Sequence, residues 1–383
     1  MRILELTNYS AGGCGVYARV REEAQLLAKK GHEVRIFSSN RVKGSKEMAQ
    51  RHDSIGNVKI TRFKARQRGG ESYLKWDFEK EALEYNPDIV IAHSYRHLHT
   101  TEIIRLREKK RLKCKIFLVT HAPFDRDATR NIISKLSVWI YDNSPWGLGK
   151  STLKKFDKII AITKWERPYL HKLGVPDSKI VYIPNGIPDI LFKAPKKIKE
   201  EHKIIFIGRV APIKQIETVI DALPLLKDKE ITFEIVGPAE KEYLTRLKRL
   251  IADKDVEKRV IFTDAIYDMR EKINKLDSAT FFILPSKSEG MPQSLIEAMA
   301  RKKIVVASEN PASKDLIVNG KNGFLYKNGN EQDCARVLDA ISALSQKEKK
   351  AIQDAALRSV RRFSWDKIIE DFEKIFKSSI EPL

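Results

Sequence analysis

Short apolar runs of strand length alternate along this chain with amphipathic stretches of helical period, and the alternation predicts an α/β protein. Residues 3–6 (Ile3-Leu4-Glu5-Leu6) open as a strand, and a glycine-containing loop follows over 8–15. Val16, Val20, Ala24, Leu27 and Ala28 then mark a helix before a second strand at 31–37. Further strands are expected at 88–93, 116–119, 157–163 and 179–183, and then at 203–207, 231–236, 260–264, 279–284 and 304–308. Near-continuous apolar strands joined by helices read as parallel sheets covered on both faces. The lysine-rich, proline-containing stretch 193–203 is the best linker. Two doubly wound Rossmann-like domains are therefore expected, at 1–192 and 203–362, with a terminal helix in 363–383. Residues 40–70 break the pattern; basic and poorly periodic, they read as a flexible edge.

One stretch carries chemistry. The strand at 279–284 runs into Pro285-Ser286-Lys287-Ser288-Glu289-Gly290-Met291-Pro292-Gln293-Ser294, after which Leu295, Ile296, Ala298 and Met299 recur at helical spacing. A strand, a polar loop and a helix start point backbone N–H groups at an anion. Pro292 suits the first helical turn, where a missing N–H is no loss. Glu289 lies in the loop and Glu297 about two turns into the helix. Carboxylates so placed accept hydrogen bonds from hydroxyls at two points of one ligand, while the helix start holds a negative group between them. A nucleotide sugar has that layout.

Written as P-S-x-x-E-G-M-P-x-S-x-x-E-A-M-A, this stretch resembles the signature of family 4 retaining glycosyltransferases. The resemblance covers nearly the whole chain and is firmer in its second half. It implies the GT-B fold: two Rossmann-like domains facing a cleft, with the C-terminal helix crossing back to the first. It places Glu297 on ribose hydroxyls and Glu289 on those of the donor sugar, with Gly290, Met291, Pro292, Gln293 and Ser294 at the helix start. Gly208-Arg209 followed by Lys214 again ends a strand in cations. Arg209 can fork two phosphate oxygens and Lys214 adds a point charge; the resemblance implies that they hold the diphosphate. His121, in Val119-Thr120-His121-Ala122, matches the family's active-site histidine, and His93 and Asp125 fall on the acceptor side.

A glycine pair of the family sits in the first loop. Counting back from Gly31-His32-Glu33-Val34 lays Cys14-Gly15 over it, whereas identity favours Gly12-Gly13, which leaves Gly13 and Gly15 as donor-facing candidates. Asn185-Gly186 matches the strand end that closes the first domain, and is also a turn signal. Thr263 stands where the family commonly has glycine, and Lys302-Lys303 replaces its usual G-x-P.

Charge adds a partner. The formal net charge is +21, and residues 1–200 carry 40 Lys+Arg against 22 Asp+Glu, while residues 201–383 carry 32 against 29. The first half is therefore expected to face something anionic: a membrane surface or a lipid-linked acceptor. Nucleic acid is not expected, because no zinc-finger, RRM or KH signature is present. The three cysteines form no CxxC pair, no apolar run reaches the roughly 20 residues of a membrane span, and the first residues enter a strand at once. A cytoplasmic protein without a signal peptide is expected, peripheral on the inner face of the membrane. His93, His97, His99 and His121 lack the spacing of a zinc site, and Asp125-x-Asp127 lacks the context of a metal-binding DxD motif. No metal cofactor is expected, because cations occupy the diphosphate position.

The reading is a retaining glycosyltransferase with His121, Arg209, Lys214 and Glu289 as catalytic groups. It moves a sugar from a nucleotide-diphosphate sugar to a hydroxyl of a glycan or lipid-linked sugar. The alternatives are a non-catalytic nucleotide-sugar-binding or membrane-associated assembly protein, and a sugar-nucleotide epimerase on the same fold.

Overall fold

The computed structural model describes residues 1–67, 70–109, 111–124, 132–143, 149–193 and 201–380. The chain forms two compact units: 1–186 with 365–383, and 187–364.

In the first unit the strands are β1 (Arg2–Thr7), β2 (Glu33–Ser39), β3 (His52–Ile55), β4 (Val58–Phe63), β5 (Ala65–Gln67), β6 (Leu74–Trp76), β7 (Ile89–His93), β8 (Lys115–Val119), β9 (Lys158–Ala161) and β10 (Ile180–Tyr182). The main sheet has the order β10-β9-β8-β7-β1-β2-β4-β3. It is parallel except for the β3–β4 hairpin. Leu4, Leu6, Val90, Ala92 and Leu118 are fully buried, as strands sandwiched between helices require. The strand order reverses between β1 and β7, and at such a switch point the loops part to leave a crevice beyond the strand ends.

Residues 40–67 are more regular than their charge suggests. Val58, Ile60 and Phe63 turn inward on β4, and β5 pairs with β6. Arg62 is buried, donating to Ser10 Oγ at 2.7 Å, to the Gln50 carbonyl at 3.0 Å and to Asp53 at 2.7 Å. A basic residue here is thus a tie between loops, and a count of charges does not reveal that.

The helix Trp365–Ile380 belongs to the first unit. Its Ile368, Ile369, Phe372, Ile375 and Phe376 are buried at helical spacing. Phe376 stacks on Phe117 with ring centroids 5.8 Å apart, and Glu373 pairs with His32. Each such apolar side chain contributes roughly 1.5–3 kcal/mol when fully buried. Gly186 is small because Trp365 lies against it: a Cβ there would come within 2.3 Å of the indole.

In the second unit the strands are β11 (Glu201–Ile207), β12 (Thr232–Val236), β13 (Val260–Thr263), β14 (Ala279–Leu284), β15 (Ile304–Ser308) and β16 (Phe324–Tyr326). All pair in parallel, in the order β13-β12-β11-β14-β15-β16, a doubly wound arrangement with its switch point between β11 and β14. The chain enters this unit at Ile187, ahead of the lysine-rich stretch, because Ile187 and Leu191 join its core. Arg301 holds that entry, donating to the carbonyls of Leu191 and Lys193 at 3.2 and 2.5 Å.

Candidate active site

Both switch points gather charged side chains. In the second unit Gly208 directly follows β11, and Lys214 closes the 3-10 turn Pro212–Lys214. β14 ends in the loop that carries Glu289. The Lys214 ammonium meets Glu289 Oε1 at 2.5 Å, and Ser286 Oγ donates to the same oxygen at 2.7 Å. Both side chains are largely buried, so the pair is fixed but still reachable from the loop edge. Three side chains hold the loop beneath it: Ser308 Oγ and Asn310 Nδ2 donate to the Ser286 carbonyl at 2.5 and 3.0 Å, and Asn328 Nδ2 to the Lys287 carbonyl at 3.2 Å. None of the three was singled out in the sequence.

The helix Gln293–Ala300 follows, with Pro292 at its cap rather than inside the first turn. The helix therefore starts later than its apolar spacing suggests, and Glu297 stands little more than one turn in. The first amides of a helix, here those of Gln293 and Ser294, have no carbonyl within the helix to bind and point outward. Gly290 and Met291 form the loop that leads to them. Glu297 is buried and ion-paired with Lys272 of the helix Met269–Ser278. Lys272 was not anticipated; its helical position reads as a solvated lysine. Arg209 is exposed and pairs with Glu240 at 2.8 Å, so it is held near Gly208 while most of its guanidinium faces outward. Gly237, with φ +141°, approaches so closely that a Cβ would lie 2.0 Å from the Gly208 carbonyl oxygen.

The first unit gathers a second cluster around β1 and β7. His93 ends β7, wholly buried, with Nε2 at 2.6 Å from Glu5 Oε2 and Nδ1 at 3.0 Å from His121 Nε2. Beside Glu5 lies Glu23, paired with Arg19 at 3.0 Å, and Arg19 also donates to Asn185 at 2.6 Å. Burial pushes the Glu5 carboxyl up to about 8 and Glu23 up to about 7. It pushes His93 down to about 4, and His121 well below the usual histidine range with the fields of His93 and Arg19 adding. Glu5, Glu23 and Arg19 escaped the sequence reading, although a glutamate inside the apolar run of β1 was a visible signal.

Backbone strain marks the same place. Ser94, Arg96, His121 and Ala122 all have positive φ, between 48 and 77°. Such residues persist only where surrounding contacts hold them, and they concentrate at functional sites. Arg96 is held by two hydrogen bonds to Asp142, at 3.0 and 2.7 Å. His97 and His99 turn away from His121, to Asn8 and to the His93 carbonyl. Among the described residues, the group with metal-ligand spacing is Glu5, Glu23 and His93, and the Arg19 guanidinium already neutralises it. Gly13 and Gly15 both face open space, whereas Gly12 (φ +81°) is pinned to Lys43. Asp125 lies outside the described residues.

Residues 189–358 match the family described as Glycosyl transferases group 1, and residues 13–189 match Glycosyltransferase Family 4. The chain belongs to glycosyltransferase family 4. It is 28% identical over 284 residues to an uncharacterised glycosyltransferase of Methanocaldococcus jannaschii, covering 71% of this chain and 70% of that protein. It is 29% identical over 231 residues to the poly(ribitol-phosphate) alpha-N-acetylglucosaminyltransferase of Staphylococcus aureus, covering 58% of this chain and 44% of that protein. Among solved structures, Anabaena HepE in complex with UDP superposes with a TM-score of 0.78 at 17% identity, covering 99% of this chain and all of that one. The fold is GT-B.

A family 4 glycosyltransferase is an enzyme, which sets aside the non-catalytic assembly protein. Its departures from the family pattern have structural causes. Thr263 donates to buried Glu234 at 2.7 Å, and Glu234 also binds Lys203 and Lys275. Lys303 is buried and caps the carbonyls of Asp277 and Ala279 at 3.0 and 2.8 Å, so a lysine there anchors the start of β14. Among the described residues no helix is long and apolar enough to cross a membrane.

Proposed function

We propose that this enzyme is a retaining glycosyltransferase that moves a sugar from a nucleotide-diphosphate sugar to a hydroxyl of a glycan or lipid-linked acceptor at an anionic membrane surface. The observation that carries the reading is the Lys214–Glu289 pair at the β11–β14 switch point, directly ahead of the helix that bears Glu297. Arg209, Lys214 and the outward amides of Gln293 and Ser294 neutralise the diphosphate, Glu297 binds the ribose and Glu289 the transferred sugar. Negative charge grows on the leaving phosphate in the transition state, so fixed cations and amides there lower the barrier. The bond from the anomeric carbon to the phosphate oxygen breaks while the acceptor oxygen adds from the same face. The acceptor proton passes to the leaving phosphate, so no second carboxylate is needed as a nucleophile. His121 positions the sugar. The reading assigns charge neutralisation to side chains rather than to a metal. The cation excess of residues 1–200 supports an anionic acceptor surface.

The test is a panel of UDP-, GDP-, ADP- and TDP-sugars, scored for thermal stabilisation and release of free nucleotide, with Glu289→Ala and Lys214→Ala alongside. One donor that stabilises and is turned over by the wild type alone supports the assignment, and the product's anomeric configuration by NMR decides retention. Inversion, or turnover surviving in both variants, overturns it.

A further inference from the structure

The helix Ile132–Asn143 of the first unit is amphipathic the wrong way round for an ordinary surface helix. Its inner face is well held. Tyr141 is buried edge-on against Tyr95, and Asp142 accepts hydrogen bonds from Tyr95 at 2.7 Å and from Arg96. Its outer face is apolar: Ile132, Leu136, Trp139 and Ile140 are 85, 56, 62 and 51% exposed. At 100° per residue these four fall on one stripe. Single exposed apolar residues are common, but a contiguous stripe of large ones with a tryptophan marks a surface that something covers.

The border of the stripe names the chemistry of that cover. Lys135 sits one position along the same helix and is exposed. Lys150 reaches back to Asn143 at the helix end, Nζ to Oδ1 2.8 Å. Lys135, Lys150 and Lys172 line a cleft of about 310 Å³ beside Trp139 and Tyr169. The acidic side chain lining it is Asp142, already committed to Arg96. A stripe of aliphatic residues and tryptophan edged by lysines matches the layout of a helix that lies in the headgroup region of an anionic bilayer. A second copy of the chain fits less well, because a two-fold contact would bring the lysine borders together.

We infer that the helix Ile132–Asn143 is the element by which this enzyme docks on a bilayer of anionic lipids, with Ile132, Leu136, Trp139 and Ile140 in the interface and Lys135, Lys150 and Lys172 on the phosphates. The inference rests on the membrane-surface part of the proposed function and assigns it to one helix. It gives the basic first unit a fixed orientation toward lipid, which a diffuse positive charge would not.

The experiment is flotation of the full chain with vesicles of phosphatidylcholine plus phosphatidylglycerol, against phosphatidylcholine alone. The wild type is compared with Leu136→Ser/Ile140→Ser and with Lys135→Glu/Lys150→Glu, and donor hydrolysis in solution reports integrity. Both variants are expected to fall to the neutral-vesicle level with hydrolysis unchanged. Tryptophan quenching by bromolipid in the anionic vesicles is expected in the wild type and reduced in Trp139→Phe, a readout that does not depend on the serine variant folding. If the wild type does not prefer anionic vesicles, the membrane reading and this inference fall together. If the variants float like the wild type and Trp139→Phe is quenched equally, this helix is not the docking element and the membrane reading stands without it. A wild-type dimer that Leu136→Ser/Ile140→Ser makes monomeric, without flotation by either, would assign the stripe to self-association and overturn the inference.

Discussion

His93 stands between Glu5 and His121, 2.6 Å from one and 3.0 Å from the other. The order of hydrogens along this chain decides what His121 presents at its far nitrogen. Of the two buried carboxyls Glu5 is pushed up further, to about 8, so at neutral pH it carries its proton and donates to His93 Nε2. Neutral His93 then donates from Nδ1 to His121 Nε2, and His121 keeps its own hydrogen on Nδ1, where it serves as a donor. Ionising Glu5 reverses every step. Glu5→Gln, with an amide that donates to His93 as the acid does, is expected to keep activity at pH 7 and to abolish an alkaline fall in kcat/KM near pH 8. An unchanged alkaline limb in Glu5→Gln would show that this chain does not set the pH profile.

The same groups make stability depend on pH. A carboxyl whose folded pKa is raised from 4.5 to about 8 binds its proton more tightly in the folded state, so its contribution is present at low pH and lost as pH rises toward 8. Glu23, raised to about 7, acts in the same direction. His93 and His97, each lowered to about 4, oppose them, but only below their unfolded value of 6.5. Between 6.5 and 8 these histidines no longer oppose, and buried Glu166, pushed up to about 7, adds to the two carboxyls in the same direction. Thermal midpoints are expected to fall across that window, because the unfolding free energy drops by at most about 1.4 kcal/mol per pH unit for each proton released. Glu5→Gln should flatten its upper part, above pH 7, where Glu23 and Glu166 have largely ionised, and a wild-type midpoint that rises over the same range would contradict the burial argument.

Lys214 and Glu289 should act as one unit in catalysis. Removing either frees the other from its partner, and a single lost transition-state contact of this kind typically costs about 10²–10³-fold in rate. Lys214→Ala and Glu289→Ala are each expected to fall in that range, and the double variant by clearly less than the product of the two. Full additivity of kcat/KM in the double-mutant cycle would mean that the two residues serve separate functions.

Much of this architecture could be read from the chain because parallel strands write themselves as short apolar runs, and the centres of both main sheets follow from those runs; β3, β4 and β16, set in basic or turn-rich sequence, do not. Glu289, Glu297 and Lys214 were legible for a related reason: each stands at a strand end or helix start, where local sequence fixes its place. What stayed hidden was pairing across long separations. Nothing near Glu5 in sequence points to His93, and nothing near Glu297 points to Lys272. Arg62 misled in the opposite way, since it reads as part of a basic edge and is buried on the Gln50 carbonyl, and Lys303, in sequence only a departure from the family pattern, is likewise buried on backbone carbonyls. A count of charges cannot tell a solvated lysine from one that holds a loop.

The first glycine loop allows binding and packing to be separated by one methyl group. A Cβ on Gly12 would lie 2.3 Å from the Lys43 carbonyl oxygen, at a φ of +81° that side chains rarely adopt, whereas a Cβ on Gly13 meets nothing within 4 Å. Gly12→Ala must therefore distort the loop, at a cost of about 1–3 kcal/mol for the backbone conformation before the clash is counted. Gly13→Ala should leave the thermal midpoint where it is. If the backbone at Gly13 approaches the diphosphate, the added methyl occupies ligand space, and the expected result is a raised KM for the donor with an unchanged melt. Thermal melts and donor titrations of the two variants read the two effects independently. A Gly13→Ala enzyme with wild-type KM would assign this loop to packing alone, through Gly12.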